Sequence, residues 1–186
     1  GGAGDDRFYV TGTLNAGSVL GGSGTDSINF VQKVTGSTVL GDSGADTMVF
    51  TETVVSSSVA GGSDADTIQF VRDVTASTVD LGAGDDTVTL AVTGSSVTVL
   101  GGEGKDLFSI NADIDASSLA GGSGVDSFVI VGDVGGGGVL AANAGDDSIS
   151  ISGDATGIYG GQGNDTISVV GTVSTGVIGG QKGADL

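Results

Sequence analysis

The stretch GGSGTDSINF, residues 21–30, decides the fold, because the chain keeps returning to it. It recurs as GGAGDDRFYV from Gly1, GDSGADTMVF from Gly41, GGSDADTIQF from Gly61 and LGAGDDTVTL from Leu81. GGEGKDLFSI from Gly101, GGSGVDSFVI from Gly121, ANAGDDSISI from Ala142 and GGQGNDTISV from Gly160 continue the series, and GGQKGADL ends it. The motif aspartates are Asp6, Asp26, Asp46, Asp66, Asp86, Asp106, Asp126, Asp147, Asp165 and Asp185, in steps of 20 residues six times and then 21, 18 and 20. A fixed period of this size is the signature of a solenoid, in which each repeat buries its apolar face only against its neighbours.

Outward from the aspartate, the eighth position of each repeat reads Phe8, Ile28, Met48, Ile68, Val88, Phe108, Phe128, Ile149 and Ile167. The tenth reads Val10, Phe30, Phe50, Phe70, Leu90, Ile110, Ile130, Ile151 and Val169, so that all six phenylalanines fall in these two columns. β-Branched and aromatic residues two apart predict a strand with one buried face. A third column runs Leu14, Val34, Val54, Val74, Ile114 and Val134, with Gly94 as its exception, and a fourth runs Val19, Val39, Val59, Val79, Val99, Leu119 and Val139. The small polar patch between them, as at 15–18 or 35–38, reads as a far turn. Each repeat is then a glycine loop, a strand, a small-residue turn and a second, shorter strand. The expected fold is an all-β parallel β-solenoid of about ten coils of ~20 residues, forming a single domain over 1–186. The step after Asp126 and the glycines at 135–138 predict a local distortion.

Composition narrows the function. Of 186 residues 38 are glycine; proline, cysteine, histidine and tryptophan are absent, and the net charge is −18. Without cysteine there is neither a disulfide framework nor a thiolate zinc site. No apolar run approaches a membrane span, and five Lys and Arg against 23 Asp and Glu exclude nucleic acid as a natural partner. Aspartate outnumbers glutamate 21 to 2, which points to tight turns or hard-cation ligands, where a short side chain is wanted. Stacking in register puts the motif aspartates about 4.8 Å apart. Carboxylates at that spacing repel by about 1 kcal/mol even in water. Something positive belongs between them, and only Lys105 and Lys182 lie in or beside the loops.

The motif GGxGxD resembles the nonapeptide GGxGxDxUx, with U a large apolar residue, of the repeats-in-toxin (haemolysin-type) calcium-binding family. The resemblance covers the whole chain at one nonapeptide per coil, and it implies a β-roll-like solenoid with Ca²⁺ between successive loops. The ten motif aspartates, Asp6 to Asp185, would be the metal ligands, each ion shared by the Asp of two successive coils and completed by loop carbonyls. The chain departs from the family in having one loop per coil rather than two, so the ions should form a single file. Asp42 and Asn143 replace the second glycine, Asp64 the third, and Leu81 and Ala142 the first. With an extra residue near Lys182 spoiling the last gap, roughly eight ions are expected.

Paired carboxylates such as Asp5–Asp6 and Asp85–Asp86 read as loop chemistry repeated down a column, not as an acid–base pair. No histidine is present to activate a serine. Asp73, Asp113, Asp115, Asp133 and Asp154 lie off the motif and read as solvated charges. The expectation is a non-enzymatic, calcium-stiffened, extracellular spacer or assembly element of a bacterial surface layer, filament or adhesin. A folding and secretion domain of a type I-secreted toxin or enzyme is the alternative, and an ice-binding module a third reading. The absence of a capping repeat suggests a segment of a longer repeat protein, or a unit that self-associates end to end.

Overall fold

The computed structural model describes residues 1–92, 94–174, 178–180 and 182–185, so Gln181 and Leu186 of the tenth motif copy lie outside the described residues. Among the described residues there are 25 strands in three parallel sheets, and no helix is long and apolar enough to cross a membrane. The first sheet stacks nine four-residue strands, from Arg7–Val10 through Thr47–Phe50 to Thr166–Val169. Period-two alternation sets its faces: Ile28 and Phe30 are fully buried, while Ser27 and Asn29 lie outward between them. Identical positions meet in register, Ile28 on Met48 and Phe30 on Phe50.

The coil has three strands, not the expected two. The patch read as a far turn opens with a two-residue strand of its own, as at Val34–Thr35, and seven of these form the second sheet. Its cause is the inward valine: Val34, Val54 and Val74 are fully buried, and only an extended backbone aims them at the core. The third sheet holds the longest strands, such as Thr38–Ser43, and runs on into the glycine segment. Pairing there passes over one residue, Leu40 against Ala60 and then Asp42 against Gly62, so the motif's opening residues are a kinked strand and not a free loop.

The core is a narrow prism between the sheets. Phe30, Phe50 and Phe70 stack at 5.0 and 4.8 Å between ring centroids, and Phe108 lies on Phe128 at 4.3 Å. Nine strands enclose eight full turns of chain, so about eight coils stand where about ten were expected. The tenth copy contributes an isolated bridge, Gln162 to Lys182. The predicted distortion is absorbed locally. Gly138 N–H closes onto the Gly135 carbonyl at 2.7 Å, and the register shifts so that Leu119 pairs with Leu140. Leu140, not Val139, therefore takes the inward column, and Val139 is turned out.

Candidate metal centre

From Asp26 to Asp165, each motif aspartate stands at the corner between a third-sheet strand and the first-sheet strand that follows it, as Asp46 does between Thr38–Ser43 and Thr47–Phe50. The same alternation that buries Met48 and Phe50 aims residue 46 inward. All ten expected aspartates fall in one file. Asp26, Asp46, Asp66, Asp86, Asp106, Asp126, Asp147 and Asp165 are only 1–2% exposed. Asp6 is half-buried and Asp185 exposed.

The two oxygens of each carboxylate have different fates. The N–H of each aspartate donates to Oδ1 of the next one along: Asp26 to Asp46, Asp46 to Asp66 and Asp126 to Asp147, each at 2.7 Å. The chain of such bonds runs unbroken from Asp6 to Asp185. Oδ2 of all eight buried aspartates has no hydrogen-bond partner. A Cβ built on Gly41 would stand 2.3 Å from Asp46 Oδ2 and 2.5 Å from the Gly61 carbonyl oxygen. Gly21, Gly101 and Gly121 face the same pair of atoms in their coils. That point lies too close to the glycine Cα to hold an ion, but it marks where a carboxylate oxygen and the next coil's main-chain oxygen converge. In the coils that open with Leu81 and Ala142, a buried side chain stands there instead.

Burial is the first cause of the raised pKa values in the file. Asp66 and Asp106 are pushed up to about 7 and Asp147 to about 6, and Asp46, Asp86 and Asp126 are also raised. The N–H bond on Oδ1 works against this shift, while neighbouring carboxylates add to it at Asp46, Asp66, Asp86, Asp106 and Asp147.

A hard divalent cation seeks oxygen ligands, and an orphaned buried carboxylate oxygen beside a carbonyl in successive coils fits such an ion. Among the described residues no three acidic side chains gather as a cage. A cation in the file would thus complete its shell with main-chain oxygens or water. The chain matches no protein-family model, no curated protein and no solved structure.

One element of the design escaped the sequence reading. At the far corner Ser37 N–H donates to Ser57 Oγ at 3.2 Å, Ser57 N–H to Ser77 Oγ at 3.1 Å, and Val97 N–H to Ser117 Oγ at 3.1 Å. Each of these serines in turn donates its hydroxyl to the carbonyl two residues before it. The repeated serine was visible in the sequence, but its role depends on the neighbouring coil. Asp113, Asp133 and Asp154, read as solvated charges, are exposed and also bond between coils, Asp154 N–H donating to Asp133 Oδ1 at 2.7 Å.

Proposed function

We propose that this chain is a calcium-binding structural β-solenoid of the repeats-in-toxin type. It works outside the cell as a rigid spacer or assembly element of a bacterial surface layer, filament or adhesin, and it carries out no catalysis. The observation that carries this reading is the leftover oxygen. At the far corner a serine oxygen receives a neighbour's N–H without charge in four of the coils, at Ser37, Ser57, Ser77 and Ser117. Aspartate does the same at the motif corner and leaves a second oxygen buried and unpartnered. A buried, unpaired anionic oxygen is costly, and a column of them is a poor choice for structure alone. Cations between the coils would turn that cost into cross-coil attachment, coupling ion uptake to folding.

The extracellular placement follows from the family resemblance and from the calcium supply such weak, repeated sites need. Partners on this reading are calcium and further coils, either of a longer chain or of another copy. Circular dichroism in millimolar calcium and in excess chelator tests the proposal, with calorimetric titration counting the ions. A β fold markedly less stable to heat in chelator than in calcium, and uptake of roughly eight ions, are expected. A thermal melt indifferent to chelator, with no heat of calcium uptake, would sink it.

A further inference from the structure

The outer face of the third sheet carries one group of side chains that coil stacking does not need. Its strands Val139–Ala144 and Ile158–Gln162 pair Ala141 with Tyr159, Asn143 with Gly161 and Ala144 with Gln162. Leu140, Ala142 and Ile158 are buried in the core, and the three pairs lie on the opposite face. In each pair one residue is large and its partner small. Ala141, Ala144 and Gly161 floor a surface hollow of about 400 Å³, and Tyr159, Asn143 and Gln162 wall it.

Each of the three large residues departs from its column. In the preceding coils the position of Tyr159 holds leucine, alanine or aspartate, and that of Gln162 holds serine, alanine or glutamate. Asn143 takes a position that is glycine in every earlier coil but the one with Asp42, and it holds φ at 82°, which glycine adopts more freely. Exceptions to three columns that meet at one hollow are not explained by the repeat.

The chemistry of the hollow limits what it can take. Its volume lies in the roughly 300–1,000 Å³ range of small-ligand sites. No charged side chain lines it, so neither an anion nor a cation finds a counter-charge there. Asn143 Nδ2 donates to the Ala141 carbonyl at 3.2 Å, which steadies the amide, while its Oδ1 accepts no bond from the described residues. The Gln162 amide and the Tyr159 hydroxyl are likewise unbonded among the described residues. Carboxamides both donate and accept, as partners of a hydroxyl must, and an aromatic ring covers apolar C–H groups.

We propose that this hollow binds a neutral sugar ring, its C–H face against Tyr159 and its hydroxyls bonded to the Asn143 and Gln162 amides. The site uses no motif aspartate and is independent of the calcium reading. It gives the rod a point of attachment to glycan in addition to its role as a spacer.

The test is saturation-transfer NMR titration of the full chain, in millimolar calcium, with the methyl glycosides of glucose, galactose, mannose and N-acetylglucosamine. Tyr159→Ala, Asn143→Gly and Gln162→Ser install residues that other coils carry at the same positions, so the coils keep their shape. Saturable binding of at least one glycoside is expected. Tyr159→Ala should weaken it about tenfold and each of the other two variants about fivefold. Tyr9→Phe, which alters the exposed tyrosine of the first coil, should leave it unchanged. Binding of none of the four glycosides, or binding that Tyr159→Ala does not weaken, would overturn the proposal.

Discussion

At Asp106 one carboxylate oxygen accepts the N–H of Asp86 at 3.0 Å, and the other has no partner. Asparagine would keep the first role and remove the charge from the second. In chelator, Asp106→Asn is therefore expected to raise the urea midpoint, because a buried charge is gone and the cross-coil bond remains. In millimolar calcium the same variant is expected to fall below wild type. A loss of stability in both conditions would refute the division of labour between the two oxygens. The far corner shows that the cross-coil bond by itself does not require an acid. Ser57 is buried and makes the equivalent bond with a neutral hydroxyl.

Among the strands, those of the first sheet carry most of the largest buried side chains. Phe50 is fully buried between Phe30 and Phe70, nearly parallel to both, with interplanar angles of 6° and 11°. Phe50→Ala is expected to cost about 3–5 kcal/mol, since the coils above and below are held apart by their own hydrogen bonds and cannot collapse into the space. Phe50→Leu should cost much less, because Leu90 and Ile110 already occupy the same column and are buried there. Urea unfolding of both variants in calcium checks the ranking, and equal losses would contradict it. The short strands of the second sheet are the weaker partner. Beyond Val134–Gly135 they shrink to single bridges at Ala155 and Val173.

For the whole molecule the buried file makes stability depend on pH in a definite direction. A carboxyl whose pKa is raised in the folded chain takes up its proton there at a pH where the unfolded chain stays ionised. Asp66 and Asp106 do so at about 7 and Asp147 at about 6, against an ordinary value of 3.8. Their contribution favours folding as pH falls from about 7 toward 3.8, and is lost as pH rises through the folded values. Cation-free protein is therefore expected to melt at a higher temperature near pH 5 than near pH 8. Saturating calcium should reverse or flatten that trend, since protons and cations compete for the same oxygens. Thermal melts followed by circular dichroism at the two pH values, with and without chelator, read this directly. A cation-free melting point that rises with pH would contradict it.

The repeat in the sequence was enough to determine a parallel solenoid, the inward columns and the single file of ten aspartates. In-register stacking is one-dimensional: residues a period apart meet, so counting along the chain substitutes for geometry. What counting could not supply depends on the path of the chain at its corners and on the coil next door. The second sheet arises because Val34 and its equivalents must point inward, within a stretch whose composition reads as a turn. Leu140 displaces Val139 because the turn at Gly135–Gly138 takes up one residue before pairing resumes. Most of all, the sequence cannot say which oxygen of an aspartate is used. Only the neighbouring coil's N–H decides that Oδ1 is bonded and Oδ2 left over, and so where a cation would be held.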